Sequence, residues 1–160
     1  MPASREENKM PDSWRQITRK YASAIGLAII PPGITYALAT TGAIDIGSFD
    51  AGWLWVFYML VGAPLIEEFA FRGVVQPLMH HSLPKALHLK GPISTANVLA
   101  SLVFATLHLS DHRPIVAASI FFPSLVFGYL KDAYGGLVLP ITMHAWYNAV
   151  FLLIIVSRSF

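Results

Sequence analysis

The sequence predicts an all-α fold, a polytopic membrane bundle of about five transmembrane helices, and three observations support it. Hydrophobic residues make up 55% of the 160 residues and charged residues only 12%, with a mean hydropathy of +0.57. This composition is too apolar for a soluble domain of that size. Apolar runs close to the roughly 20 residues that span a bilayer recur along the chain, and short polar segments separate them.

The first element is a polar segment of mixed charge, residues 1–20, which we interpret as a cytoplasmic or interfacial N-terminal tail. Residues 21–160 are predicted to form a single membrane domain. Its first helix covers about residues 21–41 and contains Pro31 and Pro32, which should break or kink it because proline lacks a backbone donor. Four further helices are expected at about residues 51–79, 92–109, 114–130 and 137–156.

The remaining composition excludes several classes of protein. The chain has no cysteine, which removes disulfide frameworks, thiolate metal sites and cysteine nucleophiles. Its net charge is only +2, and its Lys and Arg residues lie mainly near helix ends, so nucleic acid is not an expected partner. With the N-terminus inside, Arg113 and Arg158 are the loop cations that fall outside. The positive-inside rule therefore predicts a cytoplasmic N-terminus and an external C-terminus.

The second predicted helix carries three charged residues, Glu67, Glu68 and Arg72. A charge near the bilayer centre costs about 2.5 to 3.5 kcal/mol on insertion scales, so these side chains must face protein or water. Glu68 and Arg72 are four residues apart and share a helix face, whereas Glu67 is turned away from that face. We therefore expect Glu68 to pair with Arg72, which leaves Glu67 to exchange protons.

Two other helices add polar side chains at a similar depth. A polar stripe on the third helix ends at His108, and His144 and Asn148 project from one face of the fifth. Glu67 lies fourteen residues before the end of its helix, and His108 lies fourteen after the start of the next. Both therefore lie roughly 21 Å from the same membrane side, inside the bundle, where they can meet.

These side chains suit the hydrolysis of a carbonyl compound. A carboxylate and an imidazole can polarise and deprotonate a water molecule, the role expected of Glu67 and His108. An imidazole N–H and a carboxamide N–H can form an oxyanion hole, which suits His144 and Asn148. In an alternative, Glu67, His108 and His144 hold a divalent metal such as zinc that activates the water. We favour the reaction without a metal or other cofactor, and the sequence lacks the HExxH signature of zinc proteases.

Three segments of the chain resemble the motifs of a known family. EEFAFR at residues 67–72 is similar to its EExxxR motif, FATLH at 104–108 to FxxxH, and HAWYN at 144–148 to HxxxN. These are the motifs, in the same order, of the CAAX protease and bacteriocin-processing (CPBP, or Abi) family of glutamic-type intramembrane endopeptidases. The resemblance covers about residues 51–155. Many members have about eight membrane helices, so this chain resembles a minimal-length bacterial member.

The resemblance implies a role for each motif residue. The first Glu of EExxxR and the His of FxxxH activate water, the HxxxN pair stabilises the oxyanion, and the second Glu and the Arg act as supporting residues. In this chain the implied catalytic set is, in that order, Glu67, His108, His144, Asn148, Glu68 and Arg72. The implied location is the bacterial inner (cytoplasmic) membrane, with the chain crossing it several times.

The motifs and the chemistry together predict an intramembrane endopeptidase that cleaves a membrane-associated protein or peptide. Its partners are then the lipid bilayer and a substrate with a membrane-associated segment. A first alternative is a non-catalytic bacteriocin-immunity or substrate-binding membrane protein that keeps the motif residues for structure. A second is an ion or proton pathway, which the buried ionisable residues alone would also suggest.

Overall fold

A computed structural model of the chain describes residues 12–40, 52–87, 89, 91–110 and 114–157. These residues are 91% helical and include no strand, which confirms the predicted all-α bundle. Two short 3₁₀ turns, Lys85–Leu87 and His108–Ser110, lie between the main helices. The main helices are α1 (Asp12–Thr40), α2 (Trp53–Ser82), α3 (Thr95–Leu107), α4 (Pro114–Tyr134) and α5 (Val138–Ser157).

Three of these helices, α2, α4 and α5, are long and apolar enough to cross a membrane. The apolar stretches Ala22–Ala37 and Thr95–Ser110 are shorter than a full span. Helix α1 begins at Asp12 and continues through residue 21, the predicted boundary between the tail and the membrane domain. Residues 1–11 of that tail lie outside the described residues.

Pro31 and Pro32 do not break α1, which continues through both. Neither proline can donate the backbone bond to the carbonyl four residues earlier, so the carbonyls of Leu27 and Ala28 lose their helical partners. Side chains of α5 replace those donors. Tyr147 donates its hydroxyl to the Leu27 carbonyl at 2.6 Å, and the indole of Trp146 donates to the Ala28 carbonyl at 2.8 Å. The two prolines thus create the acceptors that attach α1 to α5.

Helix α2 changes its winding twice. Tyr58–Gly62 and Phe69–Val75 are π-helical, and the α-helical parts on either side continue the same rod. Such wide turns are frequent at functional sites because they redirect side chains and free backbone groups. The second π segment begins directly after Glu68 and contains Arg72. The charged part of α2 is therefore also its irregular part.

Along α2 the bundle is polar inside and apolar outside. α3 packs on α4, α4 on α5, and α2 contacts α3, α4 and α5. Gly128 is required at the α3–α4 contact, because a Cβ there would collide with the carboxamide of Asn97. Glu68 and Arg72 are fully buried, whereas Trp53 and Val138 are 75% and 77% exposed. Exposed apolar side chains around buried charges are the arrangement expected of a chain surrounded by lipid.

Candidate active site

The site is built around a buried ion pair on α2. The guanidinium Nε of Arg72 lies 3.2 Å from the Glu68 carboxylate, and both side chains have no solvent exposure. This confirms the pairing predicted from their spacing. Nη2 of Arg72 also donates to the backbone carbonyl and the hydroxyl of Ser124 on α4, at 2.8 and 2.7 Å. A buried pair with these added hydrogen bonds fixes α2 against α4 and sets the position of Glu68.

His144 lies between the two glutamates of α2. Its Nδ1 is 2.9 Å from Oε1 of Glu68, and its Nε2 is 3.8 Å from Oε2 of Glu67. Its ring stacks on Phe127 of α4, with the ring centroids 4.8 Å apart and the planes 15° apart. The hydrogen bond and the stacking together hold the imidazole in one orientation, with Nε2 towards Glu67.

Glu67 is the more accessible of the two glutamates on α2. Its side chain is 26% exposed, whereas that of Glu68 is fully buried. Nε2 of His144 lies 3.8 Å from the Glu67 carboxylate. Phe104 contacts the rings of both His108 and His144, so His108 lies in the same part of the bundle. A partly exposed carboxylate beside an imidazole can accept a proton from water and pass it on.

The ring of His108 is oriented by its own helix. Its Nδ1 lies 2.8 Å from the backbone carbonyl of Phe104, one turn earlier, at the start of the 3₁₀ turn that ends α3. A carbonyl only accepts hydrogen bonds, so Nδ1 carries the proton and the neutral ring keeps its lone pair on Nε2. An imidazole in this tautomer can accept a hydrogen bond from water through Nε2.

Phe104 of the FxxxH segment packs among the polar side chains. Its ring centroid lies 4.6 Å from that of His108, 6.2 Å from that of His144 and 5.7 Å from the guanidinium carbon of Arg72. Phe71 meets its face edge-on at 4.9 Å. Phe104 therefore contacts both imidazoles and lies over the guanidinium of Arg72.

Asn148 donates a hydrogen bond to a backbone carbonyl of α2 that has no donor within its own helix. In the first π segment the N–H of Ala63 donates to the carbonyl of Tyr58, five residues earlier. The next bond of this pattern would need an N–H at Pro64, which proline lacks, so the Met59 carbonyl has no helical donor. Nδ2 of Asn148 donates to that carbonyl at 2.7 Å. The carboxamide has a second N–H, so this contact positions Asn148 without using its whole donor capacity.

Sequence reasoning missed several residues that shape the site. Ser124, which binds Arg72, and Phe127, which stacks on His144, both lie on α4, a helix without a motif. The only available signal was the spacing of Ser124, Gly128 and Asp132 at four-residue intervals along an apolar helix. The Met59 carbonyl could not have been found, because a free carbonyl follows from the π winding rather than from residue type.

The alternative metal site, Glu67 with His108 and His144, stays a prediction. Among the residues that the structure describes, no group of three or more His, Cys, Asp or Glu side chains is arranged to hold a metal ion. Nδ1 of His144 faces Glu68 and Nδ1 of His108 faces a carbonyl. Glu67 Oε2 and His144 Nε2 are 3.8 Å apart. A metal held here would have Nε2 of each ring as a ligand.

Comparison with known proteins identifies the family to which the chain belongs. The description Type II CAAX prenyl endopeptidase Rce1-like matches residues 49–150, which is more than half of the chain and includes all six candidate residues. No curated protein matches the chain, and no solved structure does. The matched family is a peptidase family, and the apolar helices agree with a location in the bilayer. The chain is therefore an integral membrane protein that belongs to the type II CAAX prenyl endopeptidase Rce1-like family.

Proposed function

We propose that the chain is an intramembrane endopeptidase that hydrolyses a peptide bond of a membrane-associated protein or peptide. One observation carries the proposal. Glu67, the partly exposed carboxylate of a membrane span, lies 3.8 Å from Nε2 of His144, while the fully buried Glu68, paired with Arg72, holds Nδ1 of the same ring. This arrangement separates an acid that can reach water from one that only supports a neighbouring side chain.

The proposed reaction begins with water held between Glu67 and Nε2 of His108. Glu67 accepts a proton from this water as its oxygen attacks the carbonyl carbon of the peptide bond. A tetrahedral intermediate forms, with the negative charge on the former carbonyl oxygen. The proton on Glu67 then passes to the amide nitrogen as the C–N bond breaks. The products are a new carboxylate and a new amine, and no covalent link to the enzyme is formed.

His144 and Asn148 are the proposed oxyanion donors. Asn148 uses one N–H for the Met59 carbonyl and has a second for the oxyanion. Nε2 of His144 must carry a proton while Nδ1 lies against Glu68. The imidazolium form meets this requirement by donating from both nitrogens, one to Glu68 and one to the oxyanion.

Glu68 and Arg72 are proposed to act through His144. Arg72 is anchored to Ser124, Glu68 is anchored to Arg72, and His144 is anchored to Glu68. Such a chain of contacts orients the ring that faces the reacting carbonyl. The substrate needs a membrane-associated segment, because Glu67 belongs to a membrane-spanning helix and the scissile bond has to reach it there.

The proposal is tested by comparing protein termini in membranes of cells that express the wild type or Glu67→Gln. Terminus-selective mass spectrometry detects new chain ends in every membrane protein at once, so it identifies the substrate together with the cleavage. We expect a small set of new N- and C-termini in wild-type membranes that is absent with Glu67→Gln, because the amide cannot accept a proton from water. Lys85→Gln, a charge-to-amide change at an exposed position away from the site, is the matched control and should preserve those termini.

Identical termini in all three samples would contradict proteolysis and favour a non-catalytic immunity or substrate-binding protein. The comparison requires equal amounts of folded protein, which thermal unfolding of the purified variants establishes. Glu67 is partly exposed, so Glu67→Gln should have a melting temperature close to that of the wild type.

A further inference from the structure

A polar pocket, separate from the candidate active site, lies at the end of the bundle where α2 ends and α3 begins. Its volume is about 450 Å³, and its walls come from the last turns of α2, the connection to α3 and the end of α4. Gln76, on its inner wall, lies nine residues beyond Glu67, roughly 13 Å along the helix axis. The pocket is therefore distinct from the candidate active site.

One wall of this pocket presents acceptors. Nε2 of Gln76 donates to Oδ1 of Asp132 at 2.8 Å and to the Gly128 carbonyl at 3.2 Å, and Ser94 donates to Oδ2 of Asp132 at 2.7 Å. These bonds fix the orientation of the Gln76 amide, because a carboxylate and a carbonyl can only accept. Within the described part of the chain Oε1 of Gln76 has no hydrogen-bond partner, although the residue is only 2% exposed. Oε1 has almost no accessible surface, so the acceptor that a ligand in the pocket can reach is the exposed carboxylate of Asp132.

The other wall presents cations and donors. Lys131, His80 and His81 line the same pocket. Ser94 caps the N-terminus of α3 and donates to Asp132, so the positive end of that helix dipole lies beside the Asp132 carboxylate. A ligand that satisfies both walls must carry a negative group for Lys131 and an N–H donor for Asp132. Among the described residues no cluster here is suited to a metal ion.

We propose that this pocket binds the headgroup of a phospholipid that carries a primary ammonium, as phosphatidylethanolamine does. The phosphate contacts Lys131 and His80, while the ammonium donates to Asp132. A lipid is the occupant because the surface beside the pocket is apolar. Leu78, next to the pocket residue Pro77, is 63% exposed and offers a surface for acyl chains.

Binding is measured by native mass spectrometry of the purified full-length chain titrated with dioleoyl phosphatidylethanolamine, phosphatidylcholine or phosphatidylglycerol. We expect the ethanolamine lipid to bind about tenfold more tightly than the choline lipid, which has the same net charge but no N–H, since one charge-assisted hydrogen bond has about this effect. Equal binding of these two lipids to the wild type overturns the proposal, as does tighter binding of the glycerol lipid.

Substitutions in the pocket test whether the lipid binds there. Lys131→Gln and Asp132→Asn should each weaken binding of the ethanolamine lipid about tenfold, whereas Lys85→Gln, a lysine outside the pocket, should leave it unchanged. Unchanged binding in both pocket variants would contradict the site. Glycerophosphoethanolamine, the soluble headgroup, should not displace the lipid at equal concentration because it lacks acyl chains, and displacement would contradict a lipid as the occupant.

Discussion

Glu68 and Arg72 show how single residues decide the stability of this bundle. Both are fully buried, and each has its main charged partner in the other. Arg72→Met would remove the guanidinium from the buried Glu68 carboxylate, which keeps only His144 as a partner, and we expect it to lower the free energy of unfolding by about 3 to 5 kcal/mol. Glu67→Gln should change it little, because Glu67 is partly exposed. Unfolding of both variants in the same detergent measures the difference, and equal stabilities would contradict the importance of the pair.

Asn148 combines a structural contact with a proposed catalytic one, and a second substitution can separate them. Asn148→Ala removes the donor to the Met59 carbonyl as well as the proposed oxyanion donor. Adding Pro64→Ala supplies a backbone N–H where the π pattern needs one, so the double variant should regain most of the lost stability. Its peptidase activity should stay at least about tenfold below wild type, because the oxyanion donor is still missing.

For Asn148→Ala and for the double variant, the melting temperature and the cleavage rate are measured on the same preparations. If Pro64→Ala restores both stability and activity to Asn148→Ala, then Asn148 acts only as a structural residue. The Pro64→Ala variant alone serves as the control for any direct effect of the proline on the winding of α2.

At the scale of helices, the contact between α1 and α5 depends on pairs of prolines and aromatic donors. Tyr147→Phe should cost about 1 kcal/mol, because the Leu27 carbonyl loses its donor. In a Pro31→Ala background the new N–H bonds to that carbonyl, so the same substitution should cost almost nothing. Pro32→Ala is the matched control, since it affects the Ala28 carbonyl, which Trp146 binds.

A double-mutant cycle of unfolding free energies measures this coupling. We expect a coupling energy of about 1 kcal/mol between Tyr147 and Pro31 and close to none between Tyr147 and Pro32. The same coupling with both prolines would mean that Tyr147 stabilises α1 by packing alone.

The positions of the helices were largely predictable, because apolar runs and polar breaks are local signals. α2, α4 and α5 fall within a few residues of the predicted ranges. The effect of Pro31 and Pro32 was not predictable, because the helix continues through them only with donors from Trp146 and Tyr147, more than a hundred residues away. The short α3 ends in a 3₁₀ turn at His108, a change of winding that apolar periodicity does not reveal.

At the scale of the whole molecule, the orientation in the membrane remains a prediction of the positive-inside rule. α2 ends at Ser82 and the turn after α3 ends at Ser110, at opposite ends of the bundle. Ser110→Cys should react with an impermeant thiol reagent applied outside the cell, whereas Ser82→Cys should react only after the membrane is opened. The chain has no cysteine of its own to confuse the labelling. The reverse pattern would contradict a cytoplasmic N-terminus.

Part of the candidate site could be predicted from the sequence. Motif spacing and equal depth predicted that Glu67 and His108 lie near one another, and helix geometry predicted the pairing of Glu68 with Arg72 that the structure shows. The sequence could not show that His144 lies between both glutamates, because that depends on how α5 packs against the π-helical part of α2. The supporting contacts of Ser124 and Phe127 also arise from packing between helices, for which one sequence offers no direct signal.

The most direct test of a peptidase centred on Glu67 is the cleavage rate of purified protein in liposomes. The substrate is a peptide that spans a terminus lost from Glu67→Gln membranes. Wild-type protein should cleave it at that bond, and Glu67→Gln, folded to the same melting temperature, should be slower by about 10² to 10⁴. A Glu67→Gln rate equal to that of the wild type would show that Glu67 does not activate the attacking water.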